Sequence, residues 1–178
     1  GRELVECPLL EEDEHCKMDI EVFENKILTE NVKVFILCSP HNPVGRVWTK
    51  KELQAVLDIC KKYGVYVIAD EIHQDIIMSG YEKVTAATCG NYDEYLITLT
   101  SASKSFNIAG FQCAYAIIPN AKIREDYDRL AKKLHFTEGN SFSYIATQAV
   151  YEHGRPWLES VCNIVESNYY YLKNELKK

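Results

Sequence analysis

Residues 95–118 read YLITLTSASKSFNIAGFQCAYAII. Two apolar runs, 95–100 and 111–118, almost meet, and between them Lys104 stands in a nest of serines, Ser101, Ser103 and Ser105. Lysine is seldom buried without a partner, so this placement asks for either a surface position or a chemical role. The same layout recurs upstream. The run KVFILC (33–38) closes on SPHNPVG, and the run VYVIA (65–69) closes on DEIH (70–73). Each run is short, bounded by turn residues and free of polar/apolar alternation, which predicts strands covered on both faces of a largely parallel sheet.

Helical patterns alternate with these runs. Asp19 reads as an N-cap for a helix over 19–30 that places Ile20, Phe23 and Ile27 on one face. Thr49 and Glu52 form a capping box ahead of Leu53, Val56, Leu57 and Cys60, and Gly64 stands where a C-cap glycine belongs. Pro119 and Asn120 lead into a helix carrying Ile123, Tyr127, Leu130, Ala131 and Leu134; residues 141–152 also read as helix. From Pro156 a long amphipathic pattern runs through Leu158, Val161, Val165, Tyr169, Leu172 and Leu176 without a stop signal. The first 19 residues read as irregular and acidic. Strands alternating with helices define the α/β class, a three-layer α/β/α domain with a mostly parallel sheet.

The 178 residues suffice for a sizeable core, and 47% apolar with 26% charged residues is the composition of a globular chain. A net charge of -6 with no basic stripe argues against nucleic acid as a partner. No apolar run approaches the roughly 18 residues of a membrane span. The seven cysteines form no C-x-x-C pair. They read as small apolar residues rather than metal ligands or disulfides, which fits a reducing cytoplasm.

Ligands in open α/β sheets collect beyond the carboxyl ends of the strands. Three such ends here are polar. Taken singly, each has an ordinary reading. Asn42-Pro43 are turn formers, Asp70-Glu71 loop acids or a helix cap, and Ser101 and Ser103 turn residues. His73 reads as a satisfied histidine, Lys104 as a snorkelling surface lysine, and His41 takes no role. Together they suit one chemistry. A lysine amine forms a Schiff base with an aldehyde cofactor, serine hydroxyls donate to a phosphate, an aspartate keeps a ring nitrogen protonated, and an asparagine amide donates to a ring phenolate. That cofactor is pyridoxal 5′-phosphate.

SPHNPVGRVW, VIADEIH and TSASKSFNIAG, in this order and at these separations, resemble the fold-type I pyridoxal-phosphate enzymes of the class I/II aminotransferase group. Within it, PHNPVGRVW, DEIH and SKSFNIAG most resemble the bacterial cystathionine β-lyase branch of the MalY/PatB type. The resemblance covers nearly the whole chain. It implies Lys104 as the cofactor-anchoring amine and the base at the substrate's Cα, Asp70 on the pyridine nitrogen, and Asn42 on the cofactor's O3′. It further implies Ser101 and Ser103 near the phosphate and His73 where many aminotransferases carry a tyrosine. One position departs from the pattern. Eight residues after the lysine, many aminotransferases have a phosphate-pairing arginine; here Gln112 stands, which cannot neutralise a dianion.

The activity so implied is C–S β-elimination on sulfur amino acids, releasing thiol, pyruvate and ammonia. The alternative is amino-group exchange between an amino acid and a 2-oxo acid, and a third reading is a non-catalytic protein that kept the scaffold. Members of the group are roughly twice this length. The resemblance therefore makes residues 1–155 the central part of the cofactor-binding large domain, and 156–178 the start of the helix leading to a small domain. It also implies a homodimer.

Overall fold

The computed structural model describes residues 1–12, 15–136 and 139–176. Four strands form the main sheet: β3 (Val34–Cys38), β4 (Tyr66–Asp70), β5 (Leu96–Thr100) and β6 (Tyr115–Ile117), in the order β3-β4-β5-β6. A separate antiparallel pair precedes it, β1 (Leu10–Glu12) and β2 (His15–Lys17). That pair lies where the sequence reads as irregular. Three-residue strands of mostly charged side chains carry no apolar period for a sequence reading to detect.

β3, β4 and β5 are parallel, with Cys38 level with Asp70 and Asp70 level with Leu99. The helix α2 (Lys50–Tyr63) makes the crossover from β3 to β4. Its start is fixed by the capping box, with both the Thr49 and Glu52 halves formed, and its end by Gly64 at φ 66°. β6 differs from the sequence reading: it is short and runs antiparallel to β5. The chain between them holds only the one-turn helix α3 (Ala102–Ser105) and a 3-10 turn, Ala109–Phe111. A parallel return needs a longer crossover, so the chain turns back instead.

The first helix, α1 (Ile20–Thr29), is capped by Asp19 and packs with α2 over one face of the sheet. Leu53, Val56, Leu57 and Cys60 of α2 are at most 1% exposed and meet Leu37, Val67 and Ala69 from the strands. Each such aliphatic side chain contributes about 1.5–3 kcal/mol by leaving water. The alternate strand residues face the other way. There Val34, Ile36 and Tyr66 are 47%, 70% and 42% exposed, and no helix of the described residues buries them.

Three helices complete the chain: α4 (Ala121–Lys133), α5 (Ser141–His153) and α6 (Arg155–Glu175). α5 packs on α3, on the 3-10 turn and on α6. The apolar stripes of α4 and α6 stay largely in solvent, Leu130 at 56% and Leu172 at 55% exposure. None of the described helices is long and apolar enough to cross a membrane.

Candidate active site

Because β3, β4 and β5 are parallel neighbours, the segments that follow them leave from one edge. The order is sequential among the described strands, so that shared carboxyl edge, rather than a reversal of strand order, marks the site. The ladder continues just past the strand ends, with Ser39 N–H donating to Asp70 O and Glu71 N–H to Leu99 O, both at 2.9 Å. All six sequence-derived residues lie here: Asn42 after β3, Asp70 and His73 at and after β4, and Ser101, Ser103 and Lys104 after β5.

The two acids of DEIH diverge because successive residues of an extended chain face opposite ways. Asp70 is half-buried on the open side of the sheet, and its carboxylate accepts the Ile72 N–H at 3.1 Å. Glu71 is 1% exposed and its carboxylate accepts the Ala86 N–H at 2.8 Å. Burial pushes the Glu71 carboxyl above its ordinary value, against the smaller opposing pull of the Ala86 amide, the Thr85 side chain and Lys83. Glu71 is therefore a structural acid that ties down the 85–86 segment.

Asn42 sits on a loop closed by two backbone bonds, His41 N–H to Arg46 O at 2.7 Å and Gly45 N–H to His41 O at 2.8 Å. Trp48, 1% exposed, anchors that loop to the strand end by donating its indole N–H to Cys38 O at 2.9 Å. The Arg46 guanidinium lies 4.7 Å over the Trp48 ring and pairs with Glu52 at 2.5 Å. The anchoring leaves the Asn42 amide exposed at the edge. His41 meets Trp48 edge-on at 6.0 Å, and burial lowers its pKa below the ordinary imidazole value.

Ser101 is the N-cap of α3. Its hydroxyl accepts the Ser103 N–H at 3.0 Å and donates its one proton to Cys113 O. At 1% exposure it organises the turn internally. The Ser103 hydroxyl, half-buried, makes no hydrogen bond with the described residues. Lys104 is exposed and in no ion pair among them. The donor set is thus a primary amine, a carboxylate, an amide, a hydroxyl and an imidazole along one edge. Those are the complements of an aldehyde, a ring nitrogen, a phenolate and a phosphate, so the residues fit the cofactor read from the sequence. Gln112, at φ 51°, ends the 3-10 turn.

Sequence reasoning missed what holds this edge together. Gln74 Nε2 donates to Thr100 Oγ1 at 3.0 Å, and Ser105 Oγ donates to Asp75 Oδ2 at 2.9 Å. A cleft of about 480 Å³ lies beside these ties, between the 74–83 segment and α6, and includes Asp75, Ser79, Lys83 and Glu166 but not Lys104. Ser79 joins the two walls by donating its N–H and hydroxyl to Glu166. Lys104 is exposed and does not line this cleft.

Comparison with known proteins shows what the whole chain is similar to. The profile described as "Aminotransferase class I and II" matches residues 1–178. "Cystathionine beta-lyase PatB" of Bacillus subtilis (strain 168) is 35% identical over 169 residues, covering 94% of this chain and 44% of the relative. The PLP-bound C-S lyase of Staphylococcus hominis superposes with a TM-score of 0.92 at 37% identity, covering 98% of this chain and 44% of that one. A PLP-bound putative aminotransferase from Clostridium difficile 630 superposes at 0.93 with 41% identity, covering 99% and 46%. The chain spans less than half the length of each of these proteins.

Proposed function

The chain belongs to the class I and II aminotransferase family, and on that premise we propose that it is the central part of a pyridoxal 5′-phosphate-dependent C–S β-lyase. Its substrates are sulfur amino acids of the cystathionine kind, and its products thiol, pyruvate and ammonia. The observation that carries the reading is the placement of an exposed amine, Lys104, a strand-end carboxylate, Asp70, and an exposed amide, Asn42, after three parallel neighbouring strands on one sheet edge.

When bound, the cofactor supplies an aldehyde for the amine and an electron-withdrawing ring. Asp70 holds a proton at the ring nitrogen. Asn42 would hold the ring oxygen O3′ by its amide, and His73 would supply a second donor there. Ser103 donates its hydroxyl to a phosphate oxygen, and Ser101 stabilises the turn that presents it. Lys104 Nζ takes the proton from the substrate's Cα. Gln112 adds no positive charge, so phosphate binding leans on neutral donors and on residues outside this chain.

The likeness to PatB and to the C-S lyase supports elimination over transamination. The likeness to a putative aminotransferase keeps amino-group exchange as the second reading. Residues 1–155 belong in this account to the large domain and 156–178 to the helix leading out of it. The open apolar face of the sheet then receives further helices of a longer chain. The full-length protein acts on small amino acids as a homodimer in a reducing cytoplasm, which suits its free thiols. Incubation of the full-length, cofactor-loaded protein with L-cystathionine tests the activity. Thiol and pyruvate released without a 2-oxo acid support the lyase; strict dependence on a 2-oxo acid acceptor overturns it.

A further inference from the structure

The segment after β4 grips the lysine-bearing turn on both sides. Gln74 holds Thr100, one residue ahead of Ser101, and Asp75 holds Ser105, immediately after Lys104. Thr100 and Ser105 are 4% and 1% exposed, so neither hydroxyl has water as a ready alternative partner. Asp75 is itself held: its Oδ1 pairs with Lys83 at 2.9 Å, and its carbonyl accepts a weak bond from Cys162 Sγ on α6 at 3.8 Å.

The need for such a grip follows from what lies between. α3 has four residues, too few to be stable by its own hydrogen bonds. The Lys104 side chain is long, exposed and unpaired among the described residues, so none of them fixes where its amine goes. Asp70 and Lys104 are on different segments, related otherwise through the Asp70–Leu99 register, the Glu71–Leu99 hydrogen bond, the Ser101–Cys113 bond and the packing of α5 on α3. Of all these links, the side-chain ties from the 74–75 segment are the ones that reach both flanks of Lys104 directly, at Thr100 and Ser105.

We infer that Asp75 and Gln74 are positioning residues that lock the Lys104 turn to the strand end carrying Asp70 and His73, with the Asp75–Ser105 bond as the decisive tie. The inference rests on Lys104 being the cofactor amine. A tie that merely satisfied a buried hydroxyl would add stability without touching the amine's chemistry, and this difference is measurable.

The test uses the full-length, cofactor-loaded protein as wild type, Ser105→Ala, Ser105→Thr and Tyr92→Phe. The last removes the 2.8 Å Tyr92–Asp58 hydrogen bond, which lies near the opposite end of β5 and α2, as a control for stability loss alone. Borohydride labelling first establishes that the amine is Lys104; if the wild type is not labelled there, the functional reading fails, separately from this inference. With labelling in place, Ser105→Ala is expected to shift the pH midpoint of the cofactor's absorbance by about half a unit or more. It is also expected to lower kcat by about 10- to 100-fold with KM changed less than about threefold. Ser105→Thr, which keeps the hydroxyl, returns the midpoint to the wild-type value and kcat to within about threefold of it, and Tyr92→Phe moves neither. The inference is overturned if Ser105→Ala keeps the wild-type midpoint and kcat, if Ser105→Thr fails to rescue, or if Tyr92→Phe produces the same changes.

Discussion

Replacing Trp48 with Phe loosens the loop that presents Asn42. The indole N–H bond to Cys38 O, 2.9 Å long and made by a ring only 1% exposed, is lost outright. A buried hydrogen bond of this kind contributes about 1 kcal/mol, more if the carbonyl is left without a partner. The smaller ring also gives up about three buried atoms, about 1.5 kcal/mol of burial. Its weaker face under the Arg46 guanidinium, 4.7 Å away in the wild type, costs about 0.5 kcal/mol. The sum is about 3 kcal/mol, or about a hundredfold in the opening equilibrium of the loop. Hydrogen exchange on the full-length protein reads this directly at the two amides that close the loop, His41 N–H and Gly45 N–H. Both should lose about two decades of protection while the β4 amides of Val67 and Ile68 keep theirs. Cofactor affinity should fall in parallel, because Asn42 rides on that loop. Loss of less than about threefold protection at His41 and Gly45 would refute the claim that Trp48 anchors the loop.

Two further perturbations probe the edge from below. Because burial holds the Glu71 carboxyl above its ordinary value, the folded state binds that proton more tightly than the unfolded one. Its contribution is therefore most favourable below the ordinary carboxylate range and is lost as pH rises through the folded value. Glu71→Gln should flatten urea midpoints measured upward from about pH 4.5, and an unchanged slope would contradict this. Cys60, 0% exposed, has its thiol pushed up to about 12 by burial. At pH 8 about one thiol in 10,000 is thiolate, so Cys60 should be the last of the seven cysteines to take iodoacetamide. Mass spectrometry showing early Cys60 labelling in the folded protein would count against its placement.

The elements that sequence made legible are those with strong local causes. The capping box at Thr49 and Glu52, the left-handed Gly64 and the Asp19 cap each act over a few residues, and each forms as its sequence indicates. The three parallel strands were legible because they are apolar on both faces. The direction of β6 was not, since it depends on how little helix the chain spends between 101 and 114. Nor was burial of α4 and α6, whose apolar stripes carry no mark of whether a partner is present. At the site, the residue types were readable but their wiring was not. Ser101 and Ser103 look alike in sequence, yet one hydroxyl is committed to Cys113 and the other makes no hydrogen bond with the described residues. The Asp75–Ser105 bond joins residues 30 apart through two ordinary side chains and has no local signature.

The central claim is that Lys104 anchors the cofactor, and reductive trapping tests it most directly. Borohydride treatment of the full-length, cofactor-loaded protein, followed by digestion and mass spectrometry, should place the pyridoxyl mass on Lys104, with Lys104→Ala taking no label and showing no activity. A label on another lysine, or a Lys104→Ala variant that retains lyase or transaminase turnover, would contradict the account.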